Sequence, residues 1–206
     1  MARLLILFAH PLLEKSRVHH QLLEQAKNIP DVTINDLYQN YPDFDIDIEK
    51  EKNLLLQHDI IIWQHPFYWY SAPALLKQWQ DLVLEHGWAY GKKGTALQGK
   101  KAFNVMTSGG ASEAYAEGGY NRYPIHDYLK PFEQTALLCR MTYWPPFWVN
   151  GVHRMDQHEI REYASRYRNL LFALSRELIT EEAILKTTEL NHLFLNPSMQ
   201  SDHGTT

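Results

Sequence analysis

The chain has 206 residues, 45% of them hydrophobic and 21% charged, a composition that suits one ordinary globular domain with a full core and no staples. A net charge of −4 leaves no electrostatic footprint for nucleic acid, which excludes that partner class. A single cysteine, Cys139, excludes an internal disulfide and suits a reducing compartment.

The amino terminus reads MARLLILFAHP. Its apolar run is too short to span a bilayer and no cleavage pattern follows, so Leu4 to Ala9 is expected to be the first strand of a cytoplasmic protein. After Pro11 to Lys15, Ser16 stands in capping position for a helix that carries Val18, Leu22, Leu23 and Ala26 on one face. A helix amino terminus is a natural phosphate site, and Ser16, His10 and the Arg17, Val18 and His19 backbone offer donors there. No glycine occurs between positions 10 and 19, so neither the dinucleotide fingerprint nor the triphosphate loop is present, and the segment reads equally as an ordinary capped helix.

Val32 to Leu37 alternates like a second strand. The acidic connection Tyr41 to Asp47 lacks the glycine and terminal glutamate of a calcium loop and reads as solvated surface. Glu49 to His58 predicts a helix with Leu54, Leu55 and Leu56 toward the sheet. The stretch from Asp59 to Glu85 is the one around which the rest is arranged. Ile60 to Trp63 is an unbroken apolar run, as a strand buried on both faces requires, and Pro66 marks its end. Phe67, Tyr68, Trp69 and Tyr70 then fill a loop, Ser71 is placed to cap a helix, and Leu75, Leu76, Trp79, Leu82 and Val83 recur at helical spacing. Ligands of open parallel sheets bind at the carboxyl ends of the strands, and flat rings there suit a flat ligand; core or dimer packing is the other reading of the aromatics.

Lys100 to Met106 restores a strand, ending in Thr107-Ser108-Gly109-Gly110, where hydroxyls and glycines let backbone approach a ligand; Tyr115 lies five residues beyond. A helical pattern from Ile125 to Leu138, interrupted by Pro131, leads to Cys139, read as a buried structural thiol. Thr142 to Val152 is the last strand, irregular because of Pro145 and Pro146. Asp156 with Glu159 signals a capped helix bearing Ile160, Tyr163, Ala164, Tyr167, Leu171, Leu174 and Leu178. Residues 1–180 form the domain on this reading, and the polar 181–206 a partly ordered tail. The histidines lack zinc spacing, and no metal is expected. Alternation of strands and helices predicts an α/β fold, a five-stranded parallel sheet with helices on both faces.

LILFAHP with Ser16, WQHPFYWYSAPALLKQW, and TSGG with Tyr115 together resemble the flavodoxin-fold NAD(P)H:quinone oxidoreductases, the DT-diaphorase-like group, over nearly the whole chain. DLYQNYPDFDIDI, HGWAYG, GTALQGK and NRYP with LKPFEQTALLCRM carry the likeness further, to bacterial ancillary proteins of glutathione-gated potassium-efflux antiporters. The resemblance implies a flavodoxin-like three-layer sandwich holding FMN, or FAD, at the carboxyl end of the sheet. By position, His10, Ser16, Arg17, Val18 and His19 would hold the phosphate, and Phe67, Tyr68, Trp69 and Tyr70 would line the isoalloxazine. Thr107, Ser108, Gly109 and Gly110 would complete its other edge. The implied chemistry is hydride transfer from NAD(P)H to the flavin and on to a quinone, the protein orienting the ring and stabilising its charge.

Tyr115 matches a tyrosine that larger members pair with a histidine to relay that charge. The histidine is missing, with Tyr120 and Asn121 in the neighbourhood, so a catalytic Tyr115 stands beside the reading of a residue that merely covers the flavin. A homodimer is also implied, with Trp144, Phe147 and Trp148 as interface candidates or core residues, and any membrane association at the inner face would come through the antiporter. The functional readings are a two-electron quinone reductase, a docking subunit that needs no turnover, and a one-electron carrier.

Overall fold

An apolar run without alternation must be covered on both sides, and that requirement organises the molecule. The computed structural model describes residues 1–194. In chain order its elements are β1 (Leu4–Phe8), α1 (Arg17–Ala26), β2 (Val32–Asp36), α2 (Leu37–Asn40), α3 (Ile48–Gln57), β3 (Ile60–Pro66), α4 (Ala74–Val83), β4 (Lys101–Thr107), α5 (Ile125–Leu138), β5 (Thr142–Tyr143), β6 (Phe147–Val149), α6 (Gln157–Ser175) and α7 (Glu181–Leu185). Leu4, Ile6 and Phe8 pack against Leu22, Leu23, Ile160, Tyr167 and Leu171 of α1 and α6. Leu5 and Leu7 pack on the opposite face with Leu55, Leu76, Trp79 and Phe132 of α3, α4 and α5. The result is three layers, helices on both faces of a parallel sheet.

The strand order is β2-β1-β3-β4, and both β5 and β6 pair with the outer side of β4. The fifth position of the expected sheet is thus one strand broken in two by Trp144, Pro145 and Pro146. Register matters most at the carboxyl edge. Phe8 pairs with Gln64, Pro66 with Thr107 and Thr107 with Val149, so the loops after β1, β3, β4 and β6 leave the sheet at one edge. Sequence order reverses between β1 and β3, which makes the crevice between their loops the switch point.

Helix termini follow the chain's capping residues. Ser16, Asp47 and Asp156 cap α1, α3 and α6 through their side chains, and Glu159 completes a capping box on Asp156. Ser71 does not cap α4; it exchanges backbone hydrogen bonds with Tyr68, and Pro73 precedes the helix without a side-chain cap. Three consecutive leucines cannot share a helical face, so Leu55 is buried while Leu56 is exposed, and Leu82 and Leu178 are exposed too. α5 runs through Pro131 without a break, and Cys139 is buried at its end, where burial pushes the thiol up to about 11.

The polar composition after residue 180 conceals structure. α7 buries Ile184, and its Glu181 bonds Lys101 and the Trp144 indole. Leu190–Phe194 forms a 3-10 turn in which the buried Asn191 amide accepts from Trp148 N and donates to Trp148 O, both at 2.8 Å. That amide takes the place of a neighbouring strand and closes the β6 edge. The tail expected from 181 is therefore part of the fold up to 194, and 195–206 lie outside the described residues. Trp144, Phe147 and Trp148 are buried in the core of the chain, which removes them as interface candidates.

Burial holds His19 and His65 neutral: desolvation lowers His19 well below its ordinary value and His65 to about 4. The unfolded chain takes up protons near pH 6.5 that the folded chain refuses, so stability is full above that pH and falls as pH drops through it. From these two groups alone the unfolding free energy should fall by roughly 2.5 kcal/mol per pH unit at about pH 5.5. Urea titrations between about pH 7.5 and 5.5 measure that slope; a flat profile would mean that both rings charge in the folded state.

Candidate functional site

A cleft of about 480 Å³ opens at the carboxyl edge of the sheet, lined on one side by His10 and the loop and first turn of α1 and on the other by Phe67, Tyr68, Thr107 and Gly109. It lies at the switch point. The first-turn amides of a helix lack intrahelical acceptors, and the helix dipole adds positive potential at that end. Lys15, Ser16, Arg17 and Val18 line the cleft there, and no carboxylate does. The Ser16 hydroxyl accepts from His19 N at 3.2 Å and so stays at the mouth of the helix. His10 Nδ1 accepts from Leu12 N at 3.1 Å, which places the ring proton on Nε2 as a donor. Burial holds the His10 imidazole below its ordinary value and thereby neutral, against the opposing pull of Glu14.

The arginine at the helix mouth is tied to the segment before α6: Arg17 Nη2 donates to Met155 O at 2.8 Å. His19 is placed differently from the rest of the expected phosphate group. Its ring is fully buried behind the cleft, between Gln64 and Thr107, and only its backbone belongs to the helix mouth.

The aromatic loop divides. Phe67 and Tyr68 face the cleft, whereas Trp69 and Tyr70 line a neighbouring notch of about 200 Å³ with Phe67, Tyr115 and Asn121. Tyr68 to Ser71 is a tight turn whose two central residues, Trp69 (φ 50°) and Tyr70 (φ 62°), both occupy the left-handed region normally given to Asn and Gly. Tyr70 gains a stacked partner in Tyr128, with ring centroids 5.4 Å apart; Trp69 is 93% exposed. Left-handed conformations of this kind cost energy that the surrounding structure must offset.

The strand end at 107–110 also divides. Thr107 and Gly109 line the cleft. A Cβ on Gly109 would stand 2.5 Å from His153 Nε2, so the glycine lets the loop after β6 close down on the chain. Ser108 turns away: its hydroxyl accepts from Trp148 Nε1 at 2.9 Å and donates to Gly110 O at 2.8 Å, locking the two loops together. Gly110 makes room for the Tyr115 ring, which a Cβ would approach to 3.0 Å. Tyr115 packs edge-on against Phe67, Tyr128 and Trp148, outside the main cleft, and burial raises its phenol so that it stays protonated.

Val152 and His153 join the lining from the loop after β6 and were not among the residues expected from sequence. They sit beyond the carboxyl end of the last strand, where the strand-end rule places ligands, and no motif like Thr107 to Gly110 marks them. Tyr128, the hub of the aromatic cluster, carries no local signal. A helix mouth with cationic neighbours fits a phosphate, and a cleft walled by Phe67 and Tyr68 with a glycine opposite fits a flat ring system; a flavin mononucleotide has both parts.

Comparison with known proteins covers most of the chain. The family model described as "flavodoxin-like fold" matches residues 2–171. The glutathione-regulated potassium-efflux system ancillary protein KefG of Serratia proteamaculans is 46% identical over 169 residues, covering 82% of this chain and 92% of its own. Among solved structures, general stress protein 14 of Treponema denticola in complex with FMN is 38% identical, with a TM-score of 0.78, covering 84% of this chain and 99% of its own. An NADPH-quinone reductase from P. pentosaceus is 34% identical, with a TM-score of 0.74, covering 81% and 96%.

The left-handed conformation at Trp69 costs about 1 kcal/mol that an asparagine would not. Trp69→Asn should therefore raise the urea midpoint of the ligand-free protein. A lowered midpoint would show that the exposed indole supports the loop by packing.

Proposed function

Because the chain belongs to the flavodoxin-like fold family, we propose that it is an FMN-dependent NAD(P)H:quinone oxidoreductase serving a glutathione-gated potassium-efflux antiporter. The observation that carries this reading is the meeting, in one cleft, of the α1 mouth with an aromatic wall faced by glycine. When bound, FMN supplies two-electron hydride exchange between a nicotinamide and a quinone. His10, Ser16 and the first-turn amides of α1 hold the phosphate, with Lys15 and Arg17 balancing its charge. Phe67 and Tyr68 give the ring an apolar wall, and Gly109 admits backbone to its other edge. Tyr115 stays protonated and packs behind Phe67 beside the cleft, a supporting part in keeping with the absent histidine partner.

The second copy of a homodimer would cover Trp69, Tyr120 and Tyr123, which are exposed beside the cleft. No helix among the described residues is long and apolar enough to cross a membrane. On this reading the protein works in the cytoplasm and reaches the inner face of the membrane through the antiporter. The curated relative's name carries the ancillary role alone, so docking without turnover is the competing reading.

Purified protein loaded with FMN should lose its flavin absorbance on anaerobic addition of NADPH or NADH and regain it stoichiometrically with a soluble quinone. Flavin that binds and never bleaches with either nicotinamide would overturn the enzyme reading and leave the docking subunit.

A further inference from the structure

Four buried side chains form a single hydrogen-bonded file from the α6 layer to the cleft. Tyr167 Oη lies 2.8 Å from Gln64 Oε1, Gln64 Nε2 3.3 Å from His19 Nδ1, and His19 Nε2 3.1 Å from Thr107 Oγ1. Tyr167, Gln64 and His19 are completely excluded from solvent, and Thr107 opens only to the cleft it lines. The direction of the protons follows from satisfaction. Burial raises the Tyr167 phenol far above its ordinary value, so it keeps its proton and donates to Gln64. Gln64 must then present its amide N–H to His19 Nδ1, which puts the His19 proton on Nε2 and aims it at Thr107. In the reverse sense the buried Tyr167 proton would point at an amide N–H rather than at an acceptor.

We propose that His19 is a positioning residue that holds the Thr107 hydroxyl as a hydrogen-bond donor aimed into the cleft, toward an acceptor atom on the ring of a bound flavin. The inference rests on the flavin reading above. Thr107 is suited to the part because its backbone is held on both sides: Phe67 N bonds its carbonyl at 2.7 Å, and it is paired with Pro66 and Val149. Its β-branched side chain has little freedom at χ1, which fixes Oγ1, and a hydroxyl that accepts from His19 keeps its own proton to donate to an acceptor in the cleft. A buried imidazole suits the relay because desolvation keeps it neutral, with one nitrogen accepting and the other donating.

Binding of FMN and of riboflavin, followed by quenching of flavin fluorescence with flavin-free protein, separates a contact to the ring from a contact to the phosphate. Thr107→Val should weaken both compounds by the same factor, about five- to tenfold for one lost hydrogen bond, and Thr107→Ser should restore both. Tyr167→Phe, which keeps the ring and lies away from the cleft, should weaken both as well and add nothing in the Thr107→Val background. Circular dichroism and the urea midpoint of each variant report whether it has folded. A Tyr167→Phe effect that is absent, or that adds fully to Thr107→Val, would overturn the relay, and so would a Thr107→Val loss confined to FMN. Wild-type protein that takes up neither compound would instead overturn the flavin reading beneath it.

Discussion

Parallel pairing of β1, β3 and β4 in fixed register is the constraint on which the rest of the structure depends. It brings Ala9, Pro66, Thr107 and Val149 to one edge, where Ala9 N bonds Gln64 O, Phe67 N bonds Thr107 O and Ser108 N bonds Val149 O. A shift of one residue in β3 would exchange its two faces, exposing Gln64 and Trp63 to the wrong layers. The cleft is therefore not built by the loops alone; it is the space left where four strands stop together and the strand order reverses.

The two faces of the sheet support the cleft in different ways. Toward α1 and α6 a file of buried polar side chains crosses the core and ends at Thr107. Toward α3 and α4, the buried Glu51 carboxylate accepts from both Asn35 and the Tyr41 hydroxyl and from Trp79 Nε1, at 2.6–2.9 Å. A second file on that side runs from the Tyr143 hydroxyl to Asn104 and on to His65, whose ring stacks on Phe132. Satisfied networks of this sort cost little once formed and discriminate strongly against alternative packings. They fix β2, β3 and β4 from beneath while the aromatic turn above carries the strain.

Much of this was legible in the residues. Continuous apolar runs gave away β1 and β3, side-chain caps gave away α1 and α6, and Thr107 and Gly109 followed from the rule that ligands sit at strand ends. What was hidden has physical reasons. Thr142 to Val152 was legible as the last strand, but no motif marks Val152 and His153 as Thr107 to Gly110 are marked, and only the close approach of His153 to Gly109 brings them to the cleft. Ser71 looked like a cap because caps are recognised by residue type, whereas its backbone is consumed by the tight turn with Tyr68. Residues 181–194 looked like a tail because Ile184, Leu190 and Asn191 are few among polar neighbours, although each is buried. Glu51 and His19 are polar residues whose partners are distant in sequence, and no local pattern reports such a pairing.

The most direct test of the account is a crystal structure of the protein grown with FMN. The account predicts the phosphate at the amino terminus of α1 among Ser16, Arg17 and Val18, with the ring against Phe67 and Tyr68 and its far edge near Thr107 and Gly109. Flavin bound at any other surface, or an α1 mouth that holds no phosphate at saturating FMN, would contradict it.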